Sequence, residues 1–261
     1  MSPITLPPDC RVGSTLLQLD SVDSTNSEIK RLAAQNAPDG LVVTARRQTA
    51  GRGRAGRTFH SPQGCGLYLS ALLRPQRPPE AGAHFTAWTA VAVCDAVEAT
   101  CGLRPQIKWI NDLILNEKKL CGVLTELLLT DGRPDALVVG IGINVNHRPE
   151  DFPPELRESA TSLAMELGQT VDLEELTRAL ILALNRLYAD FPAQRADYLR
   201  RYRADCLTLG RPVRLTTPTD WREAVAVDID EEFRLLVELP DGSREAVRTG
   251  EASVRGPNGY L

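Results

Sequence analysis

Two apolar runs, 41–47 (LVVTARR) and 67–74 (LYLSALLR), bracket a stretch of glycine, arginine and proline that neither a helix nor a strand can absorb. Short apolar runs ending in polar or basic residues read as strands of a covered sheet. The segment between them must then be a long loop held by core at both ends. Glycine lets backbone come close to a ligand, at an entropic cost of roughly 0.5–1 kcal/mol each. Arginine offers a planar fork that matches carboxylate and phosphate oxygens. A loop of this make-up is expected to be loose when empty and to order when an anion arrives.

Charge supports the anion. The chain carries 30 Lys and Arg against 34 Asp and Glu, a formal net charge of −4, which argues against a protein that coats nucleic acid. Yet from Gly40 through Pro79 there is no Asp or Glu, and arginines stand at 46, 47, 52, 54, 57, 74 and 77. A solvated basic face would explain the charge but would not require the interleaved glycines.

Residues 51–56 (GRGRAG) satisfy the G-x-G-x-x-G pattern of dinucleotide-binding folds. That fingerprint needs a helix to open directly behind the glycines, with the pyrophosphate on its N-terminus. Here RTFHSPQGCG follows, and no acidic residue stands about 20 positions on, so the Rossmann reading is set aside.

Elsewhere the pattern is mixed α+β. Residues 83–101 space small and apolar side chains without Gly or Pro and predict a helix. Strands are expected at 106–109, 112–116, 119–129 and 136–146, with Asp131-Gly132 as the turn between the last two. Helices are expected at 172–190, with Asp172 as cap, and at 193–206. Beyond Leu209 the texture changes to short alternating segments with a hairpin signal at Asp241-Gly242. This gives three parts: a mobile lead-in over 1–14, a main domain over 15–208, and a small antiparallel barrel within 209–261.

The segment Lys108-Trp109-Ile110-Asn111-Asp112 lies between two apolar runs. A lysine at a strand end beside Asn and Asp forms either a surface ion pair of little worth or, desolvated by the tryptophan, a cation for a reacting phosphoryl group. The six cysteines, at 10, 65, 94, 101, 121 and 206, form no CxxC pair, and the three histidines are scattered. A reduced compartment fits better than a disulfide framework, and a zinc site is not expected. With no run of roughly 18 apolar residues and no leader-like start, the expectation is a cytosolic protein.

Four segments in this order resemble biotin protein ligases: DSVDSTNSE at 20–28, RQTAGRGRAGRTFHSPQGCGLYLS at 47–70, IKWINDLILNEKKLCGVLTE at 107–126 and VVGIGINVN at 138–146. With the terminal β module, the resemblance covers nearly everything from residue 16 onward. It implies a class II synthetase-like mixed sheet with packed helices and a small C-terminal SH3-like β-barrel. It also implies ATP and Mg2+, biotin as substrate, an adenylate intermediate, and transfer to a lysine of the biotin carboxyl carrier protein of acetyl-CoA carboxylase or a related carboxylase. A homodimer formed through the central sheet is compatible with it. Neither nucleic acid nor membrane is an expected partner, because no DNA-binding region precedes residue 16.

The resemblance assigns residues as well. Ser24, Thr25 and Asn26 match the family's biotin-facing Ser-Thr-Asn, although Asp23 and Ser24 also suit a helix cap. Gln48 matches a biotin-contacting glutamine, and Gly51, Arg52, Gly53 and Arg54 match the adenylate-retaining loop. Lys108, with Arg54, is the expected catalytic cation, bridging the biotin carboxylate and the α-phosphate, and is expected to contribute little packing. Gly122 and Gly140 are candidates for close ligand approach, Asn144 and Phe59 for nucleotide contact, and Asn111 and Asn144 for magnesium. For Gly122, Gly140 and Asn144, ordinary strand packing fits equally well. Ile110 stands where the family usually has proline and Phe59 where tryptophan is common. The alternatives are a lipoate or octanoate protein ligase and a non-catalytic biotin-sensing module.

Overall fold

A computed structural model describes residues 4–75, 83–216, 220–248 and 253–255, so Arg77 of the basic stretch lies outside the described residues. The main sheet is built from β1 (Thr15–Leu19), β2 (Leu41–Ala45), β3 (Gly66–Leu73), β4 (Gln106–Lys108), β5 (Asp112–Leu115), β6 (Lys118–Thr130) and β7 (Arg133–Asn144). Its strand order is β1-β2-β3-β7-β6-β5-β4. Within this sheet β1 and β2 run parallel and the other described pairs antiparallel; the parallel pair needs a crossover, which the helix between them supplies. That helix is α1 (Thr25–Ala33). The long hairpin of β6 and β7 turns at Asp131 and Gly132, both at positive φ, as the sequence predicts.

On one face the sheet packs against α2 (Ala83–Cys101) and α4 (Leu173–Asp190). Alternation of side chains along a strand accounts for this: Leu67, Leu69, Val139, Ile141, Ile143 and Val123 join Trp88, Val91 and Leu184 in one buried core. The opposite face receives α1 through Ile29, which packs with Val43, Leu72 and Val138. Asp172 caps α4 by accepting from the backbone N–H of Glu174 and Glu175. A short α3 (Leu163–Leu167) and α5 (Arg195–Asp205) are the other α-helices among the described residues, and Tyr198 of α5 stacks on Trp88 at 3.8 Å. The second sheet holds β8 (Pro212–Thr216), β9 (Trp221–Ile229), β10 (Leu235–Glu238), β11 (Arg244–Val247) and β12 (Ser253–Arg255). It is an antiparallel meander from β8 to β11, with β12 returning alongside β8.

One expectation needs correcting. Within the supposed mobile lead-in, Val12 is fully buried. Its N–H donates to Asn185 Oδ1 at 2.9 Å, and its carbonyl accepts from Asn185 Nδ2 at 2.7 Å. Arg11 pairs with Asp39 at 2.5 Å. A lone apolar residue among prolines has no periodicity to announce it, and its partner lies on α4, far along the chain. Among the described residues no helix is long and apolar enough to cross a membrane.

Candidate active site

Cross-strand register places Tyr68 and Ser70 of β3, Gly140, Gly142 and Asn144 of β7, and Gly122, Leu124 and Glu126 of β6 on one face of the sheet. Gly122 and Gly142 are direct partners, so the floor is shallow between two polar ends. The Phe59 ring fills this depression: a Cβ on Gly142 would meet it at 2.6 Å, and one on Gly122 at 3.5 Å. Tyr68 meets the same ring edge-on, centroids 6.4 Å apart. At Gly140 the close approach is made by Asn26, whose Oδ1 would lie 2.1 Å from an added Cβ. The space expected there for a ligand is therefore taken by the protein.

At one end of the floor lie Ser24, Thr25 and Asn26, all buried at the start of α1. Ser24 occupies the N-cap position, but its hydroxyl makes no capping bond. This corrects the capping role: Asp23 instead accepts from Ser24 N–H at 2.7 Å and pairs with Arg31. Gln48 Oε1 accepts from Thr25 N–H at 2.8 Å, and Gln48 Nε2 donates to Ser61 Oγ at 2.9 Å. Ser70 Oγ lies 2.7 Å from Thr25 Oγ1 and 2.6 Å from Asn26 Oδ1. Asn26 Nδ2 donates to Glu126 Oε2 at 2.9 Å, while Glu126 Oε1 accepts from Lys30 at 2.7 Å and Arg52 at 3.0 Å. Burial acts to raise the Glu126 pKa, but hydrogen bonds from Lys30 and Asn26 and the charges of Lys30 and Arg52 more than reverse it.

The glycine-arginine loop is a narrow hairpin with partners inside the chain. Gly53 N–H donates to Arg57 O at 2.7 Å, and Phe59 N–H to Gly51 O at 2.9 Å. A Cβ on Gly51 would meet Phe59 O at 2.4 Å, so the tight closure requires glycine there. Behind the glycines comes a single turn of 3-10 helix, Arg54–Gly56, in place of the long helix a dinucleotide site demands. Arg52 and Arg54 both have partners within the chain: Arg52 meets the Glu126 carboxylate, and Arg54 Nη1 donates to Asn111 Oδ1 at 2.8 Å.

Arg54 belongs to the other end of the floor. Burial pulls its pKa down, opposed by the charge of Asp112. Asn111 Nδ2 donates to Asp112 Oδ1 at 3.0 Å and Val123 O at 3.1 Å, and Asp112 pairs with Lys119 at 2.8 Å. Lys108, at the end of β4, is the register partner of Asp112 across the turn. It is 9% exposed, so its stem is packed and the expectation of little packing fails. Trp109 fixes the turn from outside: its N–H donates to Thr208 Oγ1 at 2.9 Å and its indole Nε1 to Phe233 O at 3.0 Å, in the β9–β10 loop. Asn144 Nδ2 donates to Thr161 O at 3.0 Å and Lys119 O at 3.4 Å.

The donor set can be weighed for magnesium. Among the described residues no cluster of three His, Cys, Asp or Glu could hold a metal. Both ends of the Asn111 amide are committed, which argues against it as a ligand. Asn144 fits better, because only its Nδ2 is engaged and its Oδ1 remains an oxygen donor. A cation here would draw most of its oxygens from phosphate and water, the usual habit of Mg2+.

The structure thus gathers Ser24, Thr25, Asn26, Gln48 and Arg52 at one end, Arg54, Lys108, Asn111 and Asn144 at the other, and Phe59 between them. Sequence reasoning missed Ser61, Ser70, Lys119, Gly142 and Glu126. Only Gly142 left a signal, as the second small residue in the G-I-G-I-N alternation at 140–144.

Residues 19–144 match the Biotin/lipoate A/B protein ligase family, and residues 208–255 match the Biotin protein ligase C terminal domain. A biotin--[acetyl-CoA-carboxylase] ligase of Paracoccus denitrificans is 33% identical over 237 residues, covering 89% of this chain and 98% of that one. The bifunctional ligase/repressor BirA of Bacillus subtilis is 36% identical over 235 residues, 90% of this chain and 72% of that protein. A biotin protein ligase from Aquifex aeolicus, solved in complex with biotin and ATP, superposes with a TM-score of 0.81 at 32% identity, covering 93% of this chain and 99% of that one. The chain belongs to the biotin protein ligase family.

Proposed function

We propose that this chain joins the carboxylate of biotin to AMP, using ATP, and passes the biotinyl group to a lysine of a biotin carboxyl carrier protein. In the first step a carboxylate oxygen attacks the α-phosphorus and pyrophosphate leaves. In the second the lysine amine attacks the anhydride carbonyl, an amide forms, and AMP leaves with the bonding pair. The observation that carries this reading is the pairing, on one glycine floor, of an uncharged polar shelf (Ser24, Thr25, Gln48) with a cationic end (Arg54, Lys108, Lys119).

Each group has a task. The shelf suits the ureido head of biotin, whose N–H and C=O groups would otherwise lose their water partners at a cost of about 1–3 kcal/mol each. Lys108 holds two anions together, the carboxylate and the α-phosphate, which repel until a cation lies between them. Arg54 is braced by Asn111 to do the same from the loop side. Phe59 offers an apolar face. Magnesium, when bound, neutralises triphosphate charge, and Asn144 Oδ1 is the group of this chain that would help to hold it.

A relative named for acetyl-CoA carboxylase supports a carboxylase carrier domain as the acceptor. The comparisons do not favour a lipoate or octanoate ligase, and no observation favours a purely sensing module. Pyrophosphate exchange with biotin, run beside lipoate and octanoate, tests the reading. Exchange with biotin alone is expected; equal exchange with lipoate would overturn it.

A further inference from the structure

The amide of Asn26 has one orientation open to it. Its Nδ2 lies 2.9 Å from Glu126 Oε2 and 3.3 Å from Leu124 O, two atoms that can only accept. Its Oδ1 therefore faces Ser70 Oγ, 2.6 Å away. An amide oxygen has no proton to give, so the single Ser70 hydroxyl proton goes to Asn26. Ser70 Oγ is also 2.7 Å from Thr25 Oγ1, and with its own proton spent it can only accept there. The Thr25 hydroxyl must then donate to Ser70. Gln48 Oε1, 3.1 Å from Thr25 Oγ1, is served instead by the Thr25 N–H at 2.8 Å. Thr25 Oγ1 is left with lone pairs for any further partner.

The direction of this chain of protons begins at Glu126. While ionised it only accepts, and Lys30 at 2.7 Å and Arg52 at 3.0 Å favour that state. A neutral acid or an amide in its place would be able to donate toward Asn26 Oδ1, leaving only the longer 3.3 Å bond to Leu124 O to oppose a turn of the Asn26 amide. Each bond down to Thr25 would reverse. We propose that Glu126 is a positioning residue for biotin binding: acting through Asn26 and Ser70, its charge makes Thr25 an acceptor for a ligand N–H. The inference rests on the biotin reading and adds a basis for selectivity. A ureido ring carries N–H donors, whereas the cyclic disulfide of lipoate has none.

Titration calorimetry of biotin with wild type, Glu126→Gln, Ser70→Ala, Thr25→Val and the double variants tests it, with folding checked by circular dichroism. Each single change should weaken biotin by about ten-fold, one hydrogen bond's worth. Combined with Thr25→Val, neither Glu126→Gln nor Ser70→Ala should weaken it further by more than about two-fold, because both act through Thr25. Loss of the Lys30 and Arg52 ion pairs would persist in the Thr25→Val background, so an effect of that origin would show there as a second full loss. Additive losses, or unchanged affinity in Glu126→Gln, would overturn the relay. If Glu126→Gln fails to fold, Glu126→Asp, which keeps the charge but draws the carboxylate back from Asn26, takes its place in the same cycle with Thr25→Val. Wild-type protein that does not bind biotin would instead remove the functional reading.

Discussion

Arg54 and Asn111 meet at 2.8 Å, guanidinium to amide oxygen, and this bond ties the glycine-arginine loop to the turn that follows Lys108. Asn111 is thus a brace between two cation-bearing segments, and its nitrogen is anchored on Asp112 and Val123. Replacing it should misplace Arg54 without touching a metal. Asn111→Ala is expected to slow adenylate formation by about ten-fold, the worth of one charge-assisted hydrogen bond, while the magnesium concentration for half-maximal rate stays put. A magnesium titration of pyrophosphate exchange measures both; a shifted requirement would return Asn111 to the list of ligands.

Removing the Lys108 ammonium should leave a folded protein that hardly makes adenylate. Because the stem is packed, Lys108→Met is the better variant, since it keeps apolar volume where alanine would leave a cavity. A fall of about 10²–10³ in adenylate formation is expected for loss of a single electrostatic stabiliser, with little change in Tm. Parent-rate exchange in Lys108→Met would make the lysine structural.

The glycine floor predicts a graded series. An added methyl at Gly122 meets only ordinary contacts at 3.5 Å, one at Gly142 meets the Phe59 ring at 2.6 Å, and one at Gly140 meets Asn26 at 2.1 Å. Gly122→Ala should therefore bind biotin nearly as the parent does. Gly140→Ala should lose biotin affinity most, since Asn26 has no room to retreat. Calorimetry on the three variants checks the order, and equal behaviour at 122 and 140 would contradict it.

Stability should fall on mild acidification because of His147. Its ring is fully buried against Phe152, and neither nitrogen makes a hydrogen bond of ordinary geometry. Burial, with His60 nearby, pushes its pKa down to about 4, against weaker opposing pulls from Asp151 and the Cys65 backbone. The unfolded chain takes up this proton below about pH 6.5, and the folded one only near pH 4. The stability present at neutral pH is thus lost progressively between those values, by up to about 3 kcal/mol. Urea denaturation of wild type and His147→Gln at pH 7 and pH 5 reads this out; an equal pH slope in both would absolve His147.

Those parts of the candidate site whose chemistry is local can be picked out in the sequence. The GRGR loop and the Lys108 turn were legible because glycine, arginine and a lysine between apolar runs each limit what the backbone and its neighbours can do. Long-range pairings were not. Glu126 looks like any strand residue until the topology brings it to Asn26 and Arg52, and Ser70 is one small residue in an apolar run until the register sets it opposite Gly140. Val12 was misread for the same reason, since its partner Asn185 is distant in the chain. Ser24 shows the converse error: a local rule foresaw a cap, and Asp23 formed the local hydrogen bond instead.

The grip of Trp109 on Thr208 and Phe233 bears on the order in which the molecule is completed. A chain emerging from the ribosome has Lys108, Arg54 and the whole polar shelf long before residue 233 appears. Until then the indole N–H and the backbone N–H of Trp109 lack the partners that hold them, and the lysine turn rests on the short ladder between β4 and β5. Contacts of such wide sequence separation form late, because the intervening loop must be closed before they contribute. The turn that carries Lys108 is thus among the last parts of the molecule to be fixed, after every residue of the polar shelf has been made.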